Sequence, residues 1–409
     1  MPNPTPTPTI LSLINPYYDE LTIALRAIHR ASILTKSVLR SLNNSVSAET
    51  KADDSPVTVA DFAAQALIIA AIHAVYPEDK FVGEESAKAL RENLVLRERV
   101  WQLVVQSQRS TSPQVLCDEG DAAISDSGKV QGRLRQGGSA PEQQWLATPK
   151  NMDEMLDCID LGISESTRKG RVWVLDPVDG TATFMEGKQY AVCLCLLEDG
   201  VQKVGVIGCP NLKLDLGAEA RGLGTKVHED QVDDAGYGVV LSAVKGQGTF
   251  VRSMHASGFG IAQRINHDND QVQQRDVIDI DFVEATLGKT SLVQDDHRAV
   301  AERLGAQWPG TVIWSQQLKY VALALGAADV ILRIPKGKER YTFIWDHAGG
   351  QILFQEAGGV ITDFDGREID FGQGRKIQGH MNFGMVAAMP WCFSRVMQTV
   401  KEVLDERAK

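Results

Sequence analysis

The spacing of apolar residues changes at about Arg171, and this change most strongly constrains the fold. Before it, Leu11 to Leu42 and Asp61 to Val75 carry apolar residues at helical intervals. After it come short apolar runs separated by Gly and Asp, which is the pattern of β-strands. The predicted strands lie at Val172 to Leu175, Ala191 to Leu197, Val204 to Ile207 and onward to Phe250-Val251. The chain therefore begins with helices and continues into a strand-rich region.

Beyond about Gln271, predicted strands and helices alternate. The strands are Val277 to Phe282, Thr311 to Trp314 and Val330 to Ile334, and the helices are His297 to Leu304, Leu318 to Leu325 and Asp346 to Ala357. Alternation of this kind is typical of an α/β layer that follows an α+β one. We therefore predict an N-terminal α+β domain over residues 11–270 and a C-terminal α/β domain over residues 271–409.

Two segments lack a sustained apolar period. Residues 1–10 alternate Pro with Thr or Asn over most of their length, which predicts a disordered, polyproline-like tail. Gln106 to Lys150 is rich in Ser, Gln, Gly and Asp, which predicts a mobile surface insertion.

Charge and composition exclude several classes of partner. The 409 residues include 42 Lys and Arg against 53 Asp and Glu, a net charge of −11, so we expect no nucleic-acid polymer as a partner. No apolar run reaches the ~18 residues of a membrane span. The N-terminus lacks a secretory signal, and the six cysteines form no CxxC pair. We therefore expect reduced thiols and a cytoplasmic protein, with the nucleus as the alternative.

Four acidic motifs lie beside Gly, Pro or Thr at predicted element ends. Each alone is typical of a solvated turn or a helix cap, but their co-occurrence favours a metal site. They are Asp53 to Asp61, Gly83-Glu84-Glu85-Ser86, Asp176-Pro177-Val178-Asp179-Gly180-Thr181 and Trp345-Asp346-His347-Ala348.

Asp176 and Asp179 directly follow a predicted buried strand, where two like charges need a cation to neutralise them. Oxygen ligands suit Mg²⁺, and no cluster of His or Cys competes for a softer metal. Carboxylates around two metal ions would clamp the attacking and leaving oxygens of a phosphoryl displacement. Gly180 and Thr181 would offer backbone N–H groups to phosphate oxygens. The pattern thus indicates a phosphoryl-transfer enzyme.

These motifs, in this order, resemble the inositol monophosphatase superfamily of lithium-sensitive, magnesium-dependent phosphatases. With Ser55-Pro56-Val57-Thr58, Leu318-Lys319-Tyr320 and Leu332-Arg333, they are most similar to the fungal and plant 3′(2′),5′-bisphosphate nucleotidases. The likeness runs from about Lys51 to Phe371, with the Gln106 to Lys150 segment outside it. It implies a layered sandwich of α+β and α/β parts in the order αβαβα.

The resemblance also implies roles for individual residues. Glu84, Asp176 and the carbonyl of Val178 would hold one Mg²⁺, and Asp176, Asp179 and Asp346 would hold a second. Asp61 would orient the Thr181 hydroxyl, and the pair would help to deprotonate the attacking water. The residues that would contact the substrate, a small phosphorylated metabolite, are Gly180, Thr181, Gln316, Lys319 and Arg333.

The chain departs from the nucleotidase pattern at substrate-recognition positions. Ala182 and Glu186 stand where those enzymes have basic residues, Leu292 stands for a histidine, and Gln316 stands for a serine. We therefore expect hydrolysis of adenosine 3′,5′-bisphosphate, or of a related small phosphate, with reduced efficiency.

Two alternatives stay open at this point. Asp279-Ile280-Asp281-Phe282-Val283 resembles the nucleophile loop of haloacid-dehalogenase-type phosphatases, which form an aspartyl-phosphate, although a strand with alternating acids explains it more simply. The altered pocket also suggests a phosphatase with another substrate, such as an inositol phosphate, or a weakly active regulatory protein. The sequence does not establish the substrate, the oligomeric state or the role of the insertion.

Overall fold

The computed structural model describes residues 15–44, 56–110, 146–216, 226–265, 267, 275–285 and 291–407. The predicted tail lies outside these residues, as does most of the predicted insertion. Its first residues, 106–110, belong to a helix, and residues 146–150 are also described, so the predicted boundaries of the insertion are too wide. No helix among the described residues is both long and apolar enough to cross a membrane.

The helices follow the predicted order. They are α1 (Tyr18–Asn44), α2 (Pro56–His73), α3 (Lys88–Glu92), α4 (Leu94–Ser110), α5 (Met152–Leu161), α6 (Thr181–Met185), α7 (Gln294–Leu304), α8 (Gln316–Ala324), α9 (Ala348–Glu356) and α10 (Pro390–Arg407). Asp346 does not open α9 as predicted. It ends a 3₁₀ turn at Ile344–Asp346, and His347 separates that turn from the helix.

The strands are β1 (Lys80–Gly83), β2 (Arg171–Asp179), β3 (Ala191–Glu198), β4 (Val201–Cys209), β5 (Val239–Val244), β6 (Gly248–His255), β7 (Gly258–Phe259), β8 (Gln263–Ile265), β9 (Val283–Glu284), β10 (Thr311–Val312), β11 (Val330–Arg333), β12 (Tyr341–Phe343), β13 (Val360–Thr362), β14 (Lys376–Gln378) and β15 (Met385–Ala388). The main sheet has the order β1-β2-β3-β4-β5-β6-β7, with β8 beside β6. Within it β1 and β2 are parallel and the other pairs are antiparallel. A smaller antiparallel sheet has the order β11-β15-β13.

Side-chain alternation along β2 divides the core between the two faces of the main sheet. Trp173 and Leu175 pack with Ile28 of α1 and Ile68 of α2. Val172 and Val174 point to the opposite face, whose cluster contains residues of α8, α9 and the smaller sheet. Helices α7 and α10 pack together, and α10 covers β15. The layers therefore run αβαβα, which confirms the predicted fold class.

The strand predicted over Val277 to Phe282 is wrong. Residues Val277–Asp279 form a 3₁₀ turn, and a strand begins only at Val283. The Asp276 carboxylate accepts the Val277 N–H at 2.7 Å, and the Asp279 carboxylate accepts the Asp276 N–H at 3.2 Å. These local bonds compete with strand pairing. The domain boundary at residue 270 stays a prediction.

Candidate active site

The centre of the site is the end of β2. The register between β2 and β3 shifts between Asp176 and Asp179, where Pro177 lies, so both aspartates are placed at an irregular strand end. Asp176 is 2% exposed and Asp179 is 8% exposed. Two buried carboxylates this close together are costly unless a cation or hydrogen bonds compensate for their charge.

Asp346 joins them from the turn after β12. One carboxylate oxygen from each of Asp176, Asp179 and Asp346 lies within 4.8 Å of the others, and we call these three residues the acid triad. Burial, followed by repulsion from Asp179, raises the pKa of Asp346 to about 7. Burial, followed by the charge of Glu84, raises the pKa of Asp176 well above its usual range.

Glu84 lies at the rim of the triad, in the segment that follows β1. The residue as a whole is exposed, but desolvation of its carboxyl beside the triad, followed by the charges of Glu85, Asp346 and Asp179, raises the pKa of Glu84 to about 8. Gln65 of α2 fixes this segment from behind. Its side chain donates to the Glu85 carbonyl at 2.7 Å and accepts the Glu85 N–H at 3.1 Å.

These groups fit a hard divalent cation. Every donor is an oxygen, and Asp176 Oδ1 is buried without a hydrogen-bond partner among the described residues. A cation placed among the carboxylates would remove both the repulsion and the unsatisfied acceptor. The structure therefore brings Asp176, Asp179 and Asp346 together, with Glu84 near enough to feel the charges of Asp346 and Asp179. That these four residues hold metal ions stays a prediction.

Asp179 is oriented by the start of α8. Its Oδ2 accepts the Ser315 hydroxyl at 2.5 Å and the Gln317 N–H at 2.6 Å. Its Oδ1 accepts the Gln316 N–H at 3.3 Å. Ser315 also caps α8 by accepting the Leu318 N–H at 3.1 Å. The same hydroxyl thus fixes both the helix start and one acid of the triad.

The turn after Asp179 requires glycine. Gly180 has a φ of +98°, and a Cβ there would lie 3.1 Å from Ser315 Cβ. Thr181 follows at the start of α6, and its hydroxyl donates to the Val178 carbonyl at 3.4 Å. Asp61 of α2 is buried, and its Oδ1 has no hydrogen-bond partner among the described residues. Helices α2 and α6 are in contact, but the Asp61–Thr181 pair itself stays a prediction.

Three predicted substrate contacts, Gln316, Lys319 and Arg333, form a polar group beside the triad. Arg333 donates to the Gln316 side-chain oxygen at 2.8 Å, while the Gln316 side-chain nitrogen is buried without a partner among the described residues. Lys319 is buried, which lowers the pKa of its ammonium to about 8. A pKa of this size leaves most of its charge in place at neutral pH.

Thr342 and His347, to which the sequence analysis gives no role, support Arg333 and Asp346. Thr342 accepts a bond from Arg333 at 3.2 Å and lies 3.4 Å from Asp346 Oδ2. His347 is fully buried between Thr342 at 2.9 Å and Tyr320 at 2.8 Å, and burial lowers its pKa well below the usual range. His347 directly follows Asp346, and this adjacency is the signal that could have identified it.

Of the positions that depart from the nucleotidase pattern, Gln316 is buried, whereas Ala182, Glu186 and Leu292 lie at or near the surface. Ala182 is exposed on α6. Glu186 pairs with Lys188 at 2.9 Å, and Lys188 lies 3.3 Å from Asp230. Leu292 forms an isolated bridge to Pro335. An acid therefore occupies the C-terminal end of α6, where the resemblance leads us to expect a base.

The aspartates of the alternative nucleophile loop serve local structure. Asp279 closes the capping box described above, and Asp281 accepts the Thr311 N–H at 2.9 Å and the Thr311 hydroxyl at 2.7 Å. The acid triad includes neither of them.

Comparisons with known proteins find similarity over nearly the whole chain. The model of the inositol monophosphatase family matches residues 18–105 and 149–391, which leaves out most of the predicted insertion and extends further than the likeness read from the motifs. The 3′(2′),5′-bisphosphate nucleotidases of Emericella nidulans and Schizosaccharomyces pombe are 39% and 35% identical. The alignments cover 95% of this chain in both cases and 99% and 96% of those relatives. A rice protein of the same name is 33% identical over 96% of both chains.

Solved structures support the fold. Inositol monophosphatase II from Staphylococcus aureus MSSA476 superposes with a TM-score of 0.50 at 16% identity, over 93% of this chain and 92% of that one. A structure described as SaIMPase-II with bound 2′-AMP gives a TM-score of 0.51 at 16% identity, over 95% and 99% of the two chains. At this identity the likeness concerns the fold alone.

Proposed function

The chain belongs to the inositol monophosphatase family, and on this premise we propose that it removes the 3′-phosphate from adenosine 3′,5′-bisphosphate or a related small phosphate. The observation that carries the proposal is the acid triad directly beside the Gly180-Thr181 turn, with Asp176 and Asp179 buried and Asp176 Oδ1 without a partner in the described part of the chain. The carboxylates of this cluster would repel a phosphate. A cation held between them would remove this repulsion and bind the phosphate.

The cation we propose is Mg²⁺, as two or three ions. Glu84, Asp176, Asp179, Asp346 and the Val178 carbonyl would hold these ions. When bound, Mg²⁺ would activate water and neutralise charge on the phosphoryl group.

The chain's own residues would supply the proton transfer. Thr181 is exposed at the start of α6, and the Asp61 carboxylate lies on the helix packed against α6. We propose that Asp61 accepts a hydrogen bond from Thr181 when substrate is present, so that the pair takes a proton from the attacking water. In this account the water attacks phosphorus directly, with no covalent phosphoenzyme.

Recognition of the substrate would use both neutral and charged groups. The backbone N–H groups at Gly180 and Thr181 would meet oxygens of the phosphate that is removed. Gln316, whose amide nitrogen has no partner within the described ranges, and the cations Lys319 and Arg333 would meet the second phosphate. The names of the curated relatives support a nucleotide with two phosphates as the substrate.

The five described cysteines are free thiols, which agrees with our proposal of a cytoplasmic or nuclear protein.

Phosphate release from a panel of substrates tests this proposal. The panel contains adenosine 3′,5′-bisphosphate, its sulfated analogue, inositol phosphates and sugar phosphates, each with Mg²⁺. We expect the highest kcat/KM for one of the two nucleotides. A higher value for an inositol phosphate would assign the substrate to the family's other class, and no turnover of any member would favour a regulatory protein.

A further inference from the structure

We propose that Arg375 is a positioning residue of the metal site, because it joins the segment that carries Glu84 to the segment that carries Asp346. The inference rests on the proposed function, since it concerns the residues that would hold Mg²⁺. Neither the sequence motifs nor the resemblance assigns Arg375 a role.

The two segments have no backbone pairing with each other among the described strands. Glu84 follows β1, an edge strand that pairs with β2. Asp346 follows β12, which pairs with β14 in a separate two-stranded sheet. Their carboxylates must nevertheless stay close to the same ions, so side chains have to hold the two segments together.

Arg375 fixes the Glu84 segment through two backbone carbonyls. Its Nη2 donates to the Gly83 carbonyl at 2.8 Å, and its Nη1 donates to the Gly162 carbonyl at 2.9 Å. Gly83 itself donates its N–H to the same Gly162 carbonyl at 2.8 Å. The guanidinium therefore bridges the carbonyls of Gly83 and Gly162, immediately before Glu84. It can bond both at once because its N–H donors point in fixed directions from one plane.

The same residue contacts the Asp346 segment in two ways. Its guanidinium carbon lies 4.7 Å from the centre of the Trp345 ring, which immediately precedes Asp346. Its carbonyl accepts the Ile344 N–H at 3.0 Å. Trp345 is in turn stacked on Phe343, with ring centres 4.5 Å apart and planes 9° apart. Arg375 thus ends a stack of rings that supports the turn leading to Asp346.

Charge supports the same arrangement. Burial lowers the pKa of Arg375, and the charges of Glu165 and Glu84 act in the opposite direction. The guanidinium thus lies close enough to Glu84 to offset part of the repulsion within the site. The Gly83 and Gly162 carbonyls take one N–H from each terminal nitrogen, and we infer that Arg375 acts on the metal site through Glu84 and Asp346.

Calorimetric titration of Mg²⁺ into the metal-free protein tests this role without substrate. We expect Arg375→Ala to weaken Mg²⁺ binding on the order of 10- to 100-fold, the range for loss of a group that orients metal ligands. Arg375→Lys keeps the charge but cannot span two carbonyls and stack on Trp345 in the same way, so we expect it to bind at least about fivefold more weakly than the wild type. Turnover of both variants should recover as Mg²⁺ is raised.

Arg40 provides a matched control. It donates to the carbonyls of Asp234, Ala235 and Gly236 at 3.1, 3.0 and 2.6 Å and lies 4.6 Å from the centre of the Tyr237 ring. Arg40→Ala should lower stability and leave Mg²⁺ affinity unchanged.

Each outcome decides between the proposals. Wild-type Mg²⁺ affinity in both Arg375 variants would overturn the positioning role and leave the proposed function intact. Weaker binding by Arg375→Ala, with wild-type affinity in Arg375→Lys, would mean that only the positive charge of Arg375 matters and would overturn the bridging role. Should Arg375→Ala fail to fold, Arg375→Lys decides the question. A wild-type protein that binds no Mg²⁺ would overturn the proposed function itself.

Discussion

Asp346 is surrounded by carboxylates that repel it, so its charge has a predictable effect on stability. Its pKa in the folded chain is about 7, well above the usual ~4 of an aspartate. A raised carboxyl pKa means that stability is lost as the pH rises from the unfolded value through the folded one. Asp346→Asn should therefore raise the melting temperature of the metal-free protein at about pH 8, and Mg²⁺ should stabilise the variant less than the wild type.

Thermal unfolding with and without Mg²⁺ measures both effects. Asp157→Asn is a suitable control, because the Asp157 side chain is 79% exposed. A lower metal-free melting temperature for Asp346→Asn than for Asp157→Asn would contradict the account of repulsion in the triad.

The same raised pKa values predict how metal binding depends on pH. The Asp346 and Glu84 carboxyls, with folded pKa values of about 7 and about 8, must lose their protons before they can bind a cation. Mg²⁺ affinity should therefore rise from about pH 6 to about pH 8.5, with proton release on binding. Calorimetry in buffers of different ionisation enthalpy measures both quantities. An affinity that is constant over this range would contradict the proposed coupling between proton loss from these two carboxyls and metal binding.

Thr181 and Asp61 are predicted to act as one unit. Thr181→Ala and Asp61→Asn should each lower kcat strongly with little change in Mg²⁺ affinity, since each removes part of a proton path and no metal ligand. The double variant should be little slower than either single one. The wild type, the two single variants and the double variant form a double-mutant cycle, and steady-state kinetics give kcat for each. If the loss of kcat in the double variant equals the product of the two single losses, the residues act independently.

At the scale of elements, we expect specificity to differ from the nucleotidase pattern at the C-terminal end of α6 and at Leu292. Glu186 places negative charge at the end of α6, and Leu292 stands where the resemblance implies a histidine. Glu186→Arg and Leu292→His should each raise kcat/KM for adenosine 3′,5′-bisphosphate, on the order of 10-fold for one new charge-assisted contact. Activity on a monophosphate substrate serves as the control, because it should change less. No gain from either variant would mean that the pocket binds its substrate in another way.

The elements that the sequence predicts correctly are those whose residues are mostly apolar. β2, β3 and α8 are examples, because burial on one or both faces dictates their residues. The strand predicted over Val277 to Phe282 failed because Asp276 and Asp279, three residues apart, cap a 3₁₀ turn. The pattern alone does not distinguish a carboxylate that caps its own backbone from one that points outward on a strand.

Some residues of the candidate site can be predicted from local motifs, and others cannot. The acid motifs could be found from sequence because each lies beside a strand end or turn that is itself visible in the sequence. The residues that orient them could not, because their contacts are long-range: Ser315 and Asp179 are 136 residues apart, and Arg375 and Gly83 are 292 residues apart. Only the folded chain brings these partners together.

At the scale of the whole molecule, the predicted insertion should be dispensable for catalysis. α4 ends at Ser110, and the chain is described again from Leu146, whose carbonyl accepts a bond from Arg30 at 3.2 Å. Replacing residues 111–145 by a short Gly/Ser linker should preserve Mg²⁺-dependent turnover, because each halving of loop length changes stability by only ~0.6 kcal/mol. Activity and melting temperature measure the outcome, and a large rise in KM would mean that the segment takes part in substrate binding.

The central claim is that the acid triad makes this chain a Mg²⁺-dependent phosphatase, and one assay tests it most directly. Phosphate release from adenosine 3′,5′-bisphosphate is measured with Mg²⁺ and with a chelator, for the wild type and for Asp346→Asn. The account predicts turnover by the wild type with Mg²⁺, none with the chelator, and a loss in Asp346→Asn on the order of 100-fold or more. Turnover that persists in the chelator, or an Asp346→Asn enzyme as fast as the wild type, would contradict it.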